Sequence, residues 1–151
     1  NVQGDEPLVA GKQLEIIASL FDDPTTQIGT LVKEFNADED IFNPNTPKVV
    51  MDASHRALYF SRSVIPHIRG VEQSEWSARH TFYKHIGMYA YRAEVLREIT
   101  RLPQSSLELA ESLEQLRWLE NGYTIKVGVT TLETISVDTP EDLEKLRAAM
   151  Q

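Results

Sequence analysis

The chain has 151 residues, 41% of them apolar and 25% charged, with no cysteine and a formal charge of −8. That length makes one domain the default, with a core that buries roughly two-thirds of the unfolded surface, and the apolar content excludes a disordered polymer. Without cysteine there is no disulfide framework, thiolate metal site or cysteine nucleophile, and the acidic surplus argues against nucleic acid as a partner, since a phosphate backbone needs a basic face.

The chain opens on Asn1 rather than an initiator Met, as if cut from something longer. Its first residues, NVQGDEP, lack the basic and apolar regions of a signal peptide. No apolar run approaches the ~20 residues that span a bilayer, so no membrane partner and a cytoplasmic setting are expected. After Pro7, the apolar residues Leu14, Ile17, Ala18 and Phe21 fall at helical spacing, and that helix should end near Asp22-Asp23-Pro24. Residues 27–35 read as a strand. The cluster Asn43-Pro44-Asn45-Thr46-Pro47 is a turn, because Pro fixes φ and Asn tolerates turn conformations. Strands at 48–51 and 57–60 form a hairpin-like excursion closed by Ile65-Pro66, and the polar, aperiodic stretch 70–78 reads as an exposed loop.

In the strand at 85–91, a period of two puts His85, Gly87, Tyr89 and Tyr91 on one face and Ile86, Met88 and Ala90 on the other. A helix at 93–102 turns Val95, Leu96, Ile99 and Leu102 inward and stops at Pro103. A second helix carries Leu109, Leu113 and Leu116 and stops at Asn121-Gly122. A strand at 123–129 sets Ile125, Val127 and Val129 on one face, and a final helix at 140–150 buries Leu143, Leu146 and Met150. Met51 and Met88, like Met150, are explained as core packing. Strands alternating with short helices predict an α/β sheet. Nothing marks a second full domain, though residues 43–92 are long enough to form a subdomain.

Several side chains carry potential chemistry. Asp5 follows a short strand end, where open α/β sheets bind ligands, and Gly4 beside it lets a ligand approach the backbone. The alternative is an acidic surface turn. In Val137-Asp138-Thr139-Pro140-Glu141, Thr139 suits the N-cap and Pro140 the first helical position, which leaves Asp138 either assisting the cap or free at a strand exit. Carboxylates so placed suit Mg²⁺, which takes oxygen ligands and substrate phosphates. His85 and Tyr89 share a strand face and so can meet one ligand, although a lone histidine is more often structural. Arg69 sits in a turn setting where a guanidinium can grip a carboxylate by two parallel bonds or simply be solvated. A helical wheel puts Glu114 and Gln115 away from the leucine stripe and toward solvent. The sequence has no glycine-rich phosphate loop, Ser-His-Asp spacing or HExxH pattern.

Five segments, NVQGDEP (1–7), NPNTPKVVMDASHRALYFSRSVIP (43–66), HIGMYAYR (85–92), LEQLR (113–117) and VDTPEDL (137–143), resemble in order and spacing the 3-deoxy-manno-octulosonate (Kdo) cytidylyltransferases, the CMP-Kdo synthetases of Gram-negative bacteria. The resemblance implies an incomplete Rossmann-like nucleotidyltransferase sheet with flanking helices and a small β excursion at 43–92, a sugar-binding or dimerisation subdomain within one domain spanning 1–151. It implies that CTP and Kdo give CMP-Kdo and pyrophosphate for lipopolysaccharide synthesis, with Mg²⁺ held by Asp5 and Asp138 as catalytic aspartates. Gln3, Arg69, His85, Tyr89, Glu114 and Gln115 match sugar-contacting positions, with Arg69 the clamp for the sugar carboxylate. Such enzymes open with a basic loop of the form ARYxSxRxPGKxL that binds the triphosphate. This sequence has no such loop, so the chain is expected to be the C-terminal part of such an enzyme, inactive alone, with an uncovered sheet edge and face that favour a homodimer. The other readings are a related sugar nucleotidyltransferase fragment and a non-catalytic sugar-acid binding or dimerisation module.

Overall fold

The computed structural model describes residues 10–132. Gln3, Asp5, Asp138, Met150 and the helix expected at 140–150 lie outside the described residues. In chain order the elements are α1 (Gly11–Ser19), extended by a 3₁₀ turn at Leu20–Asp22, β1 (Ile28–Glu34), β2 (Lys48–Met51), β3 (Ala57–Ser61), a 3₁₀ turn at Gln73–Glu75 leading into α2 (Trp76–Arg79), β4 (Tyr83–Tyr91), α3 (Ala93–Ile99), α4 (Ser106–Glu111), α5 (Gln115–Glu120) and β5 (Ile125–Val129).

The strands form one mixed sheet in the order β3-β2-β4-β1-β5. β1 runs antiparallel to β4 and parallel to β5, and β2 pairs antiparallel with both β3 and β4. The hairpin at the start of the excursion is therefore an edge of the main sheet. β1 occupies an interior position, and six of its seven residues are buried, as expected of a run flanked by strands on both sides. Beyond Lys84, the outer side of β4 carries no ladder with another described strand.

Helices cover both faces. Beneath α1, Ile17 packs with Leu31, Ile86 and Met88, joined by Ile16 and Leu20. The helix lies so close that a Cβ at Gly128 would sit 2.8 Å from Ile16 and 2.9 Å from Leu31. Glycine is what lets helix and sheet meet there. On the opposite face, Ile28, Val32, Phe60, Tyr89, Ile125 and Val127 from the sheet pack with Val95 and Ile99 of α3, Leu113 before α5, and Leu116 and Trp118 within it. A smaller core of Ile41, Trp76 and Phe82 gathers Phe35, Val64, Ile68 and Val71.

Several expectations are corrected. Of the predicted stripe α1 buries Ile17, as expected, whereas Leu14 is 46% exposed and Ala18 is exposed, and Gln13 is buried beside Ile17. The true stripe is offset from the predicted one because Gln13 turns inward, its Oε1 accepting the Ala10 N–H. Leu96 and Val129 are exposed. The helix from 93 ends at Ile99, three residues before its predicted end. The single helix expected through Leu109, Leu113 and Leu116 is two. Ser112 adopts a left-handed conformation (φ 53°) that ends α4, so a wheel drawn through the break fails: Leu109 is 63% exposed, while Leu113 and Leu116 are buried. Stretch 70–78 is no simple exposed loop, for it carries the buried Trp76, whose indole N–H donates to the Val71 carbonyl.

Two polar latches tie the helical layer, one joining its helices to each other and one joining it to the sheet. Ser105 and Glu108 form a reciprocal capping box at the start of α4, and Arg117 of α5 grips Glu108 through two bonds of 2.7 and 2.5 Å. That fork holds the Glu108 carboxyl below its ordinary range. In the second latch, Glu111 accepts from Ser61 Oγ at 2.7 Å and the Arg62 backbone N–H at 2.9 Å, while Arg62 Nε donates to the Glu111 carbonyl. Removing one partner of a buried pair strands the other charge. Glu108→Ala is accordingly expected to cost about 3 kcal/mol, read by urea unfolding followed through the fluorescence of Trp76 and Trp118; a loss under about 0.5 kcal/mol, the scale of an exposed pair, contradicts this assignment.

Candidate functional site

The face of β4 that looks toward α5 carries the predicted pair. His85, Tyr89 and Tyr91 line up there, with ring centroids 5.2 Å apart for His85–Tyr89 and 5.9 Å for Tyr89–Tyr91. Trp118 of α5 stands edge-on to both tyrosines, at 5.1 and 5.6 Å, and Phe60 of β3 stands edge-on to His85 at 5.2 Å. Edge-to-face contacts of this kind fix ring orientation beyond what area burial does. The alternation survives an irregularity: Thr30 pairs with Tyr89 and Leu31 with Ile86, so Gly87 and Met88 are extra on β4. A one-residue slip would exchange the two faces, whereas a two-residue insertion restores them.

Thr30 of β1, fully buried, faces the same rings. Its Oγ1 lies 3.0 Å from His85 Nε2, 2.9 Å from the Met88 carbonyl oxygen and 3.4 Å from that of Ile86. Burial pushes the His85 imidazole down to about 4, so it is neutral at pH 7. Burial also pushes the Tyr89 phenol well above its ordinary value, with the charges of Tyr91 and Glu114 acting in the same direction and the Thr30 hydroxyl opposing them. Both groups are thus neutral hydrogen-bonding partners near pH 7. With so low a pKa, His85 is a weak base.

Glu114 stands at the start of α5. Its side chain is 63% exposed, it lies 3.5 Å from Arg117, and its charge is felt at Tyr89. Gln115 is buried, which corrects its solvent-facing placement by the helical wheel. His85, Tyr89 and the Glu114–Gln115 helix start therefore belong to one side of the sheet. Arg69 stands apart from this group. It is exposed, in the turn before Gly70 (φ 75°), and makes no hydrogen bond or ion pair with a described residue. Its loop follows the cis Ile65–Pro66 bond and is pinned by Trp76, which receives the His67 ring edge-on at 5.0 Å and packs with Val64, Ile68 and Val71. Among the described residues no cluster of three or more His, Asp or Glu is arranged to hold a metal, and no helix is long and apolar enough to cross a membrane. Sequence reasoning missed Thr30, Phe60 and Trp118. Thr30 alone left a visible signal, a lone hydroxyl in the otherwise apolar stretch 28–32 of β1.

The family profile described as Cytidylyltransferase matches residues 1–145. This chain belongs to the cytidylyltransferase family. Among curated cytidylyltransferases it is 63% identical to the 3-deoxy-manno-octulosonate cytidylyltransferase of Parabacteroides distasonis and 56% identical to that of Porphyromonas gingivalis. The alignments cover 98% and 100% of this chain and 61% of each relative. Among solved structures it matches a CMP:2-keto-3-deoxy-manno-octonic acid synthetase complexed with CTP, with a TM-score of 0.88 and 41% identity over 99% of this chain and 60% of that one. The expected resemblance and the Rossmann-like nucleotidyltransferase sheet with flanking helices are both borne out. The chain spans about six-tenths of the length of these relatives.

The low His85 pKa makes stability depend on acid in a definite direction. The unfolded imidazole takes up its proton near 6.5 and the folded one only near 4, so acid favours the unfolded chain between those values and the His85 contribution levels off below. The loss over that window is about 2–3 kcal/mol. In denaturant titrations from pH 7 to 4, His85→Gln should flatten that part of the profile; an unchanged profile means that His85 is not the buried neutral group described.

Proposed function

We propose that this chain provides the sugar-acid side of a cytidylyltransferase that couples CTP to 3-deoxy-manno-octulosonate, giving CMP-Kdo and pyrophosphate for lipopolysaccharide synthesis. The observation that carries this reading is the grouping of His85 and Tyr89 on one sheet face with the Glu114–Gln115 start of α5. A sugar presents many neutral hydroxyls and one carboxylate. The neutral imidazole and the protonated phenol suit the hydroxyls, one as acceptor and one as donor. Glu114 and Gln115 extend that set. Arg69, exposed and without a described partner, is available to clamp the carboxylate bidentately. Gln3 belongs to the same sugar-contacting set in this reading.

The chemistry is attack of the anomeric hydroxyl on the α-phosphorus of CTP, with pyrophosphate leaving. It depends mainly on alignment and charge neutralisation. Asp5 and Asp138 would hold Mg²⁺ through carboxylate oxygens, and the ion would offset phosphate charge. Triphosphate binding is not part of what we assign to this chain, because its sequence lacks any glycine-rich phosphate loop and its charge of −8 repels the nucleotide. A homodimer and a cytoplasmic location complete the reading.

Calorimetry tests the assignment. The chain should bind Kdo but not CTP, and incubation with Kdo, CTP and Mg²⁺ should yield no CMP-Kdo. Arg69→Ala should weaken Kdo binding at least about tenfold, the scale of a lost charged hydrogen bond, and Tyr89→Phe by a smaller factor. Equal affinity of the wild-type and Arg69→Ala chains overturns the clamp. Failure of the wild-type chain to bind Kdo overturns the sugar-side assignment, and turnover by the chain alone overturns the division of labour.

A further inference from the structure

The contacts of Thr30 decide more than packing. Its Oγ1 lies 2.9 Å from the Met88 carbonyl oxygen, and two oxygens approach that closely only with a proton between them. The carbonyl has none to give, so the hydroxyl proton of Thr30 is committed to Met88. His85 Nε2, 3.0 Å from the same Oγ1, faces only lone pairs and must bring its own hydrogen. The bulge makes this possible: with Gly87 and Met88 extra on β4, the carbonyls of both Ile86 and Met88 come within reach of one side chain of β1.

We propose that Thr30 is a positioning residue that locks His85 as the Nε2–H tautomer, leaving the Nδ1 lone pair to accept a hydrogen bond from a hydroxyl of the bound sugar acid. No described residue hydrogen-bonds Nδ1. The rings of Phe60 and Tyr89 flank the imidazole at 5.2 Å each and restrain its orientation. Because the tautomer is fixed before the ligand arrives, no binding energy is spent in selecting it. The sugar as the partner of Nδ1 rests on the function proposed above, whereas the tautomer does not.

The test is two-bond ¹H–¹⁵N correlation spectroscopy of the ¹⁵N-labelled chain at pH 7, with His85→Gln identifying the His85 signals among the four histidines. The wild-type chain should show His85 with Nε2 protonated and Nδ1 unprotonated. In Thr30→Val, or in Thr30→Ala if the first variant does not fold, Nε2–H loses its acceptor and the spectrum should move to a tautomer mixture. Thr30→Ser should restore the single form. Kdo affinity should fall about fivefold in Thr30→Val and recover in Thr30→Ser. A wild-type His85 protonated on Nδ1, or a folded Thr30→Val with the wild-type tautomer, overturns the proposal. A locked Nε2–H tautomer in a wild-type chain that binds no Kdo would support the lock while rejecting the sugar assignment.

Discussion

The pairing of β1 with β4, with its two-residue insertion, is the constraint on which the rest depends. An insertion of one residue would have sent His85 and Tyr89 to opposite faces, one toward α1 and one toward α5. With two, both rings remain under α5 and Ile86 and Met88 remain under α1. The same irregularity brings the two carbonyls to Thr30, so the position that disturbs the ladder also builds the polar centre of the site. Bulges commonly re-aim side chains near functional sites. On the other face, Gly29 and Gly128 leave room for α1, and a Cβ on either would press on Phe21, Leu20 or Ile16.

The electrostatic layout follows from depth. The interior of the site is kept neutral by burial, and the charges stand at its margins: Glu114 at the helix start, the Arg117–Glu108 fork behind it and the Lys84–Glu39 pair at the other end of β4. On the function proposed above, such an arrangement would suit a polyhydroxylated ligand, because neutral donors and acceptors exchange hydrogen bonds with water at small net cost, whereas a buried unpaired charge would be expensive. The buried Lys48 obeys the same rule, its ammonium satisfied by the carbonyls of Asn43 and Arg62.

Much of the sheet was legible because strands announce themselves locally. β2 begins and ends as expected, β1 and β4 differ from the expected strands by only one or two residues at an end, and the face assignment of His85, Tyr89 and Tyr91 follows from alternation alone. The helical layer was less legible, for a physical reason. A wheel assumes one continuous axis, and Ser112 breaks the axis between α4 and α5; the capping box at Ser105 and Glu108 marked the true helix start and offered a way to see it. Gln13 and Gln115 defeated polarity-based burial because each turns inward from a helix start. Trp76 was hidden in a polar neighbourhood, since a single large ring can form a small core with partners remote in sequence. Of the site, the residue types were readable, but the role of Thr30 required knowing which strands lie side by side.

The Glu111–Ser61–Arg62 latch joins parts that sequence separates widely. Arg62 extends it by donating to the carbonyls of Pro44 and Ser112, so the turn at 44, the end of β3 and the break between the helices share one guanidinium. Just beyond Arg62 the chain runs into the loop that carries Arg69, and just beyond Ser112 it reaches Glu114. One guanidinium therefore couples the root of the Arg69 loop to the root of α5, so that a shift of either would be passed to the other through Arg62.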